Sequence, residues 1–305
     1  MTSEATFIDA LKTIATDPAA RGLEDDCAVL GDLVMTHDMI GEGVHFLPEA
    51  DPADVAWRLV AVNLSDLAAA GAVPIGVLMG YCLSGDDAWD LHFVEGLKQA
   101  LDHFAVPLLG GDTVRISGGS NRTIGLTALG KAKVAPARNG AKVGDRLWVT
   151  GTIGDAGAGL KLAERGLIEP AALLTAYNRP EPRLAEGQAL APYVSAMMDI
   201  SDGLLIDAER MAKASGVAMQ IELDRIPLSP DYIALNGQDA AARIMAASAG
   251  DDYQLLFTLP EEQDPPVAAS CVGQCYAPLE REHPPLALAY AGAHYPLPDR
   301  LGYQH

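Results

Sequence analysis

Val55, Leu59 and Val62 recur three and four residues apart, and the run that carries them opens with Asp51-Pro52. That spacing predicts a helix with one apolar face, Asp51 as its N-cap and Pro52 in its first turn. The helix runs into Asn63-Leu-Ser-Asp66-Leu-Ala-Ala-Ala-Gly-Ala and leaves through a Gly and a Pro. Phe7, Ile8, Leu11 and Ile14 make a similar stripe on an earlier helix, which Ser3 can cap. A third helix is predicted over residues 86–104, with Leu91, Val94, Leu97 and Leu101 on one face. Short apolar runs bounded by turn residues predict strands at 27–30, 33–36, 75–83, 106–109 and Thr123–Lys131. Residues 37–46 are rich in Gly and polar groups and read as a loop that lines a site. The 106–109 strand ends in Gly110-Gly111-Asp112-Thr113.

Residues 133–144 are polar and broken by Pro and Gly, which predicts a domain boundary. The division is an N-terminal domain over 1–135 and a C-terminal one over 136–305. The second half repeats the mixture of elements: a strand at Arg146–Thr150, a Gly-rich turn at 151–157, and a helix to 165. A strand at 196–198 leads to Asp199-Ile-Ser-Asp202-Gly203 and a helix through 214, with further strands at 217–223 and 254–259. Several prolines interrupt 261–294, where no element stands out. The class is α/β (α+β), with two domains.

Composition supports two cores, since the 305 residues are 49% hydrophobic. No apolar run reaches transmembrane length, and the first residues lack the basic and apolar regions of a signal peptide. The cysteines, Cys27, Cys82, Cys271 and Cys275, form neither a disulfide framework nor a C-x-x-C pair, which points to a reducing cytoplasm. A net charge of −20 argues against nucleic acid and anionic membranes as partners.

Charge also raises the question of the acids. Asp66 lies among leucines and alanines, where a carboxylate is costly without a cation or a donor. A lone Asp there is more simply a cap or a solvated turn. Asp25-Asp26, Asp38, Asp112, Asp199, Asp202 and Asp251-Asp252 also stand beside apolar segments, and the repetition suggests a shared metal site. Mg²⁺ held by such acids would present positive charge to phosphates that the surface otherwise repels. The glycines of 151–159 do not fall as G-x-G-x-x-G, and no P-loop occurs, so tight strand-to-helix packing accounts for them better than a dinucleotide site.

Six motifs stand in a definite order: Asp25-Asp26-Cys-Ala-Val-Leu; Thr36-His-Asp38 with Glu42-Gly-Val-His45-Phe; Asn63-Leu-Ser-Asp66-Leu-Ala-Ala; Gly110-Gly-Asp112-Thr; Asp199-Ile-Ser-Asp202-Gly-Leu; and Ala249-Gly-Asp-Asp252-Tyr-Gln-Leu. In that order, from about residue 22 onward, the chain resembles the thiamine-monophosphate kinase family of the aminoimidazole-ribotide-synthetase-like ATP-binding superfamily. The resemblance implies ATP-dependent phosphorylation of thiamine monophosphate to thiamine diphosphate, by direct in-line transfer with several Mg²⁺ ions. It implies metal ligation by Asp26, Thr36, His37, Asp38, Asp66, Asp112, Asp199 and Asp202, with Asp66, Asp112 and Asp38 central to catalysis. Gly111, Asp112, Arg138 and Ser201 would meet ATP; His45, Asp251 and Tyr303 would hold thiamine monophosphate. It further implies a homodimer whose N-terminal domains pair into a β-barrel.

The chain departs from the family's usual residues at Glu24, His37, Asp251 and Gln254. Two other readings stand beside this one, the second suggested by Glu24 and His37. One is a kinase or synthetase of the same superfamily with a different acceptor, and the other is a catalytically silent homologue that binds metal and nucleotide.

Overall fold

The computed structural model describes residues 4–115, 121–278 and 284–303. Ser3, the expected cap of the first helix, lies outside them. The first half runs α1 (Glu4–Lys12), β1 (Ala28–Leu30), β2 (Leu33–Gly41), α2 (Pro52–Ala69), β3 (Val73–Leu83), α3 (Asp87–Phe104), β4 (Leu108–Arg115) and β5 (Thr123–Lys131). The second half runs β6 (Arg146–Thr150), α4 (Asp155–Ala163), α5 (Ala171–Asn178), α6 (Leu184–Leu190), β7 (Ala196–Asp199), α7 (Leu204–Ser215), β8 (Ala218–Glu222), α8 (Pro230–Asn236), α9 (Ala240–Ala247), β9 (Leu255–Leu259), β10 (Ala269–Tyr276), β11 (Leu286–Tyr290) and β12 (Ala293–Tyr295).

Each half builds its own sheet. The first has the order β1-β2-β5-β3-β4, with β3 and β4 parallel and the other pairs antiparallel. The second has the order β12-β11-β8-β10-β6-β9-β7, with β8 and β11 parallel. Helix α2 begins as its sequence predicts: the Asp51 carboxylate accepts the Ala53 N–H at 2.8 Å, and Val55, Leu59 and Val62 are buried. Its burial is much wider than one face, reaching Arg58, Asn63, Ser65 and Asp66 as well. A helix buried on nearly every side sits between layers. One side packs with Val34, Val77, Phe93 and Leu126 in the first core. Its last turn, at Ala68 and Ala69, packs with Leu190, Met197 and Phe257 of the second half. Gly187 of α6 permits that approach, since a Cβ there would stand 2.0 Å from the Ala68 carbonyl oxygen.

Several expectations need correction. Residues 37–41 belong to β2, which pairs with β5 from Leu33 to Gly41, so only the later part of the expected loop is irregular. Gly110-Gly111-Asp112-Thr113 lies within β4, paired in parallel with β3. In both places the sheet supplies backbone partners to segments whose glycines read locally as turns. Helix α3 buries Phe93, Gly96, Leu97 and Ala100, while Leu91 and Val94 stay exposed. The true face is set by its crossing with α2, where a Cβ on Gly96 would lie 2.2 Å from the Ala53 Cα. Phe7 and Ile14 are exposed, so the α1 stripe finds no core among the described residues. Residues 261–294 supply β10, β11 and β12, and β10 crosses the middle of the second sheet. No helix among the described residues is long and apolar enough to cross a membrane.

Candidate active site

Alternation along β2 sorts its polar residues onto opposite faces of the first sheet. Thr36 and Ile40 are buried toward α2, and Asp38 shares their parity. His37 points the other way, its Nδ1 2.8 Å from Thr127 Oγ1 and its ring over Gly125. Helix α2 presents Asp66 to the first group, where its carboxylate accepts the Thr36 hydroxyl. Asp199 ends β7, and its carboxylate accepts the Ser65 hydroxyl at 2.6 Å. Asp26 arrives from the turn before β1. Oxygens of Asp26, Asp66 and Asp199 lie within 4.8 Å of one another, although the residues come from three separate stretches of chain.

Three carboxylates at this separation repel strongly, and burial removes the water that would screen them. Burial is the main cause, with Asp38, Asp199 and Asp26 adding to it, that drives the Asp66 carboxyl well above the ordinary range. The Thr36 hydroxyl opposes that shift. Burial and then Asp26 raise Asp199 in the same direction, against the Ser65 hydrogen bond. Asp26 is raised by burial despite the neighbouring Arg138 guanidinium, which holds its Oδ1. Its other oxygen, Oδ2, is buried with no hydrogen-bond partner. Asp38 is pushed up to about 6, by burial first and then by Asp26, with Asp202 adding to the effect. The cluster has oxygen donors to spare and too few protein cations, which suits a hard divalent ion.

Asp202 stands beside this group at the start of α7. Arg210 Nη1 contacts its Oδ2 at 2.5 Å and Asp207 Oδ1 at 2.8 Å. Buried Asp207 caps the helix from within, accepting the N–H groups of Asp202 and Gly203, each at 3.1 Å. Asp251 and Tyr303 are tied to the same turn: the Asp251 N–H donates to Ser201 O at 2.7 Å, and the Tyr303 N–H to Asp202 O at 2.9 Å. His45 lies past the end of β2, where its Nδ1 accepts the Gly41 N–H at 3.1 Å. An accepting Nδ1 places the ring proton on Nε2.

Not all the expected ligands meet. Asp112 is in register with Gly80, Gly125 and Met39 across the sheet. Residues in register share a face, so Asp112 lies on the His37 side, three strands or about 14 Å across the sheet from β2. Gly111 is its neighbour on β4. Arg138 and Ser201 do reach the acidic cluster, through Asp26 and through the turn that carries Asp202. Other residues contribute without having been singled out in the sequence. Asn63 Oδ1 accepts the Asp38 N–H at 2.9 Å while its Nδ2 donates to Leu59 O at 2.9 Å, and Ser65 steadies Asp199. Their signal was available, since both are polar residues inside an apolar helix. Asp252 caps α4, taking the Gly154 N–H at 2.8 Å and 3.0 Å.

Two family models cover most of the chain: AIR synthase related protein, N-terminal domain, over residues 24–132, and its C-terminal domain over 142–271. The thiamine-monophosphate kinase of Salmonella typhimurium is 37% identical over 296 residues, covering 90% of each chain. That of Caulobacter vibrioides is 42% identical over 254 residues, covering 79% of this chain and 71% of its own. Among solved structures, AaThiL complexed with AMPPCP and TMP superposes with a TM-score of 0.86 at 29% identity, covering 99% of this chain and 97% of that one. The thiamine-monophosphate kinase of Stenotrophomonas maltophilia gives 0.76 at 32% identity, covering 95% and 96%.

Proposed function

The chain belongs to the thiamine-monophosphate kinase family, and from that membership we propose the following reading of its acidic site. It phosphorylates thiamine monophosphate with ATP, forming thiamine diphosphate and ADP. The observation that carries the reading is the meeting of Asp26, Asp66 and Asp199 from three distant stretches of chain. Asp26, Asp38, Asp66, Asp199 and Asp202 would hold Mg²⁺, and the orphaned Asp26 Oδ2 is a ligand atom in waiting. When bound, Mg²⁺ supplies charge neutralisation for the polyphosphate and the acceptor phosphate.

The side chains do the rest. Thr36 and Ser65 hold Asp66 and Asp199 in fixed rotamers, so the acids are oriented before any ligand arrives. The acceptor phosphate is already ionised near neutral pH, so direct in-line transfer needs no strong general base. Arg138, Ser201 and Gly111 meet ATP. His45, Asp251 and Tyr303 receive thiamine monophosphate. His37 and Asp112 serve any ion bound on the far face of the first sheet.

The same proposal includes a homodimer. Strand β4 is an edge, exposed along its whole length, and Leu108, Leu109 and Val114 on it join exposed Leu78 and Met39. An apolar edge strand of this kind is a template for pairing, and a second copy closing the sheet into a barrel would cover it. Four free cysteines fit a reducing cytoplasm.

The test is incubation of the protein with Mg-ATP and thiamine monophosphate, followed by chromatography. Thiamine diphosphate should accumulate in step with ADP. ADP release without thiamine diphosphate, or no turnover of either, would overturn the reading.

A further inference from the structure

Arg58 sits on α2 two turns before Asp66 and is only 3% exposed. A guanidinium this deep needs partners to offset the water it has lost. It has three. Its Nη2 donates to the Tyr177 carbonyl, its Cζ lies 4.1 Å from the centre of the Tyr177 ring, and its Nη1 stands 3.0 Å from Asp251 Oδ2. The other carboxylate oxygen, Oδ1, accepts the Tyr253 hydroxyl at 3.1 Å. Tyr253 is itself buried in the first core, although it belongs to the second half of the chain.

Asp251 is therefore gripped from both sides. Its backbone adopts φ +69°, left-handed for a residue with a side chain, and its N–H is spent on Ser201 O. Strained backbone persists where surrounding contacts enforce it, often at functional sites. The carboxylate remains part exposed beside the turn that carries Asp202, with lone pairs beyond those its two partners use. The contacts from Arg58 and Tyr253 constrain the orientation of the carboxylate.

We propose that Arg58 is a positioning residue for the acceptor: it orients Asp251 so that the carboxylate can accept an N–H from an amino-substituted heteroaromatic ring. This rests on the functional reading above, which places Asp251 at thiamine monophosphate. Because Arg58 belongs to the helix that carries Asp66, the acceptor site and the metal acids share one rigid element. Its effect should appear in acceptor binding and leave the nucleotide alone.

The test is steady-state kinetics of full-length variants, with each substrate varied in turn and melting temperature measured alongside. Arg58→Met should raise KM for thiamine monophosphate about tenfold by removing the ion pair that orients Asp251, with KM for ATP and kcat changed by less than about twofold. Tyr253→Phe removes one hydroxyl and keeps the buried ring, so it should fold and raise the same constant about threefold. Arg58→Lys, which keeps the charge, should restore most of the loss seen in Arg58→Met. In Asp251→Asn, adding Arg58→Met should cost nothing more, because the two act through one carboxylate.

If Arg58→Met does not fold, Tyr253→Phe carries the test. A lowered melting temperature with KM for thiamine monophosphate unmoved in Tyr253→Phe, and in Arg58→Met where it folds, would reduce Arg58 to a structural ion pair and overturn the proposal. A native protein that makes no thiamine diphosphate would instead defeat the functional reading, and this inference with it.

Discussion

Asp66→Asn separates a metal-binding acid from a structural one, because the two roles predict opposite effects on stability. At 4.8 Å, the bound on the separations in this cluster, two unit charges at an effective dielectric of about 20 repel by roughly 3.5 kcal/mol. Asp66 faces two such neighbours, Asp26 and Asp199, and partial protonation sheds part of the cost. The amide is nearly isosteric. Its oxygen can still accept the Thr36 hydroxyl, and its NH₂ can donate toward Asp26 or Asp199. In excess chelator the variant should melt at the native temperature or a few degrees above it, at about 2–4 °C per kcal/mol for a protein of this size class. Mg²⁺ should raise the melting temperature of the native protein clearly and that of the variant little. Turnover should fall about a hundredfold or more, the loss of roughly 3 kcal/mol of transition-state stabilisation. Scanning calorimetry with and without Mg²⁺, and the chromatographic assay on the same preparation, measure all three. Turnover within about threefold of native would refute the reasoning. So would a variant that melts much lower in chelator yet keeps its Mg²⁺ shift, as loss of a purely structural carboxylate would produce.

The remaining predictions concern pH, the acceptor and assembly. Asp38 is pushed up from 3.8 to about 6, so between those values the native state binds more protons than the unfolded one and stability falls as pH rises. In chelator the melting temperature should therefore drop from about pH 4 to 6, Asp38→Asn should lessen that slope while the other raised acids keep part of it, and a slope unchanged in the variant would exclude Asp38 as a source. Tyr303→Ala should raise KM for thiamine monophosphate about five- to thirtyfold through loss of an aromatic face for the thiazolium, with Tyr303→Phe mild and KM for ATP little changed. An unmoved constant in the Ala variant would strike Tyr303 from the site. Leu109→Asp on the exposed β4 edge should convert a dimer to monomer by sedimentation, and a monomeric native protein would refute the pairing.

What local pattern can encode was legible in the chain. Asp51-Pro52 and the spacing of Val55, Leu59 and Val62 specified the start and inner face of α2, because capping and helical periodicity involve neighbours in sequence. The ordered acidic motifs marked the family, since each is a short contiguous string. Tertiary structure decided which acids meet. Asp26, Asp66 and Asp199 come together only after α2 packs against both halves of the chain, and nothing local to any of them states that distance. The pleat of β2 was equally out of reach while 37–46 read as a loop. Once that segment is a strand paired to β5, alternation sends Thr36 and Asp38 to one face and His37 to the other. The proline-interrupted tail became β10, β11 and β12 because the second sheet supplied partners for their backbone groups. Arg58 and Asp251 are 193 positions apart in the chain. Their pairing belongs to the packing of the two halves, where burial makes each charge need the other.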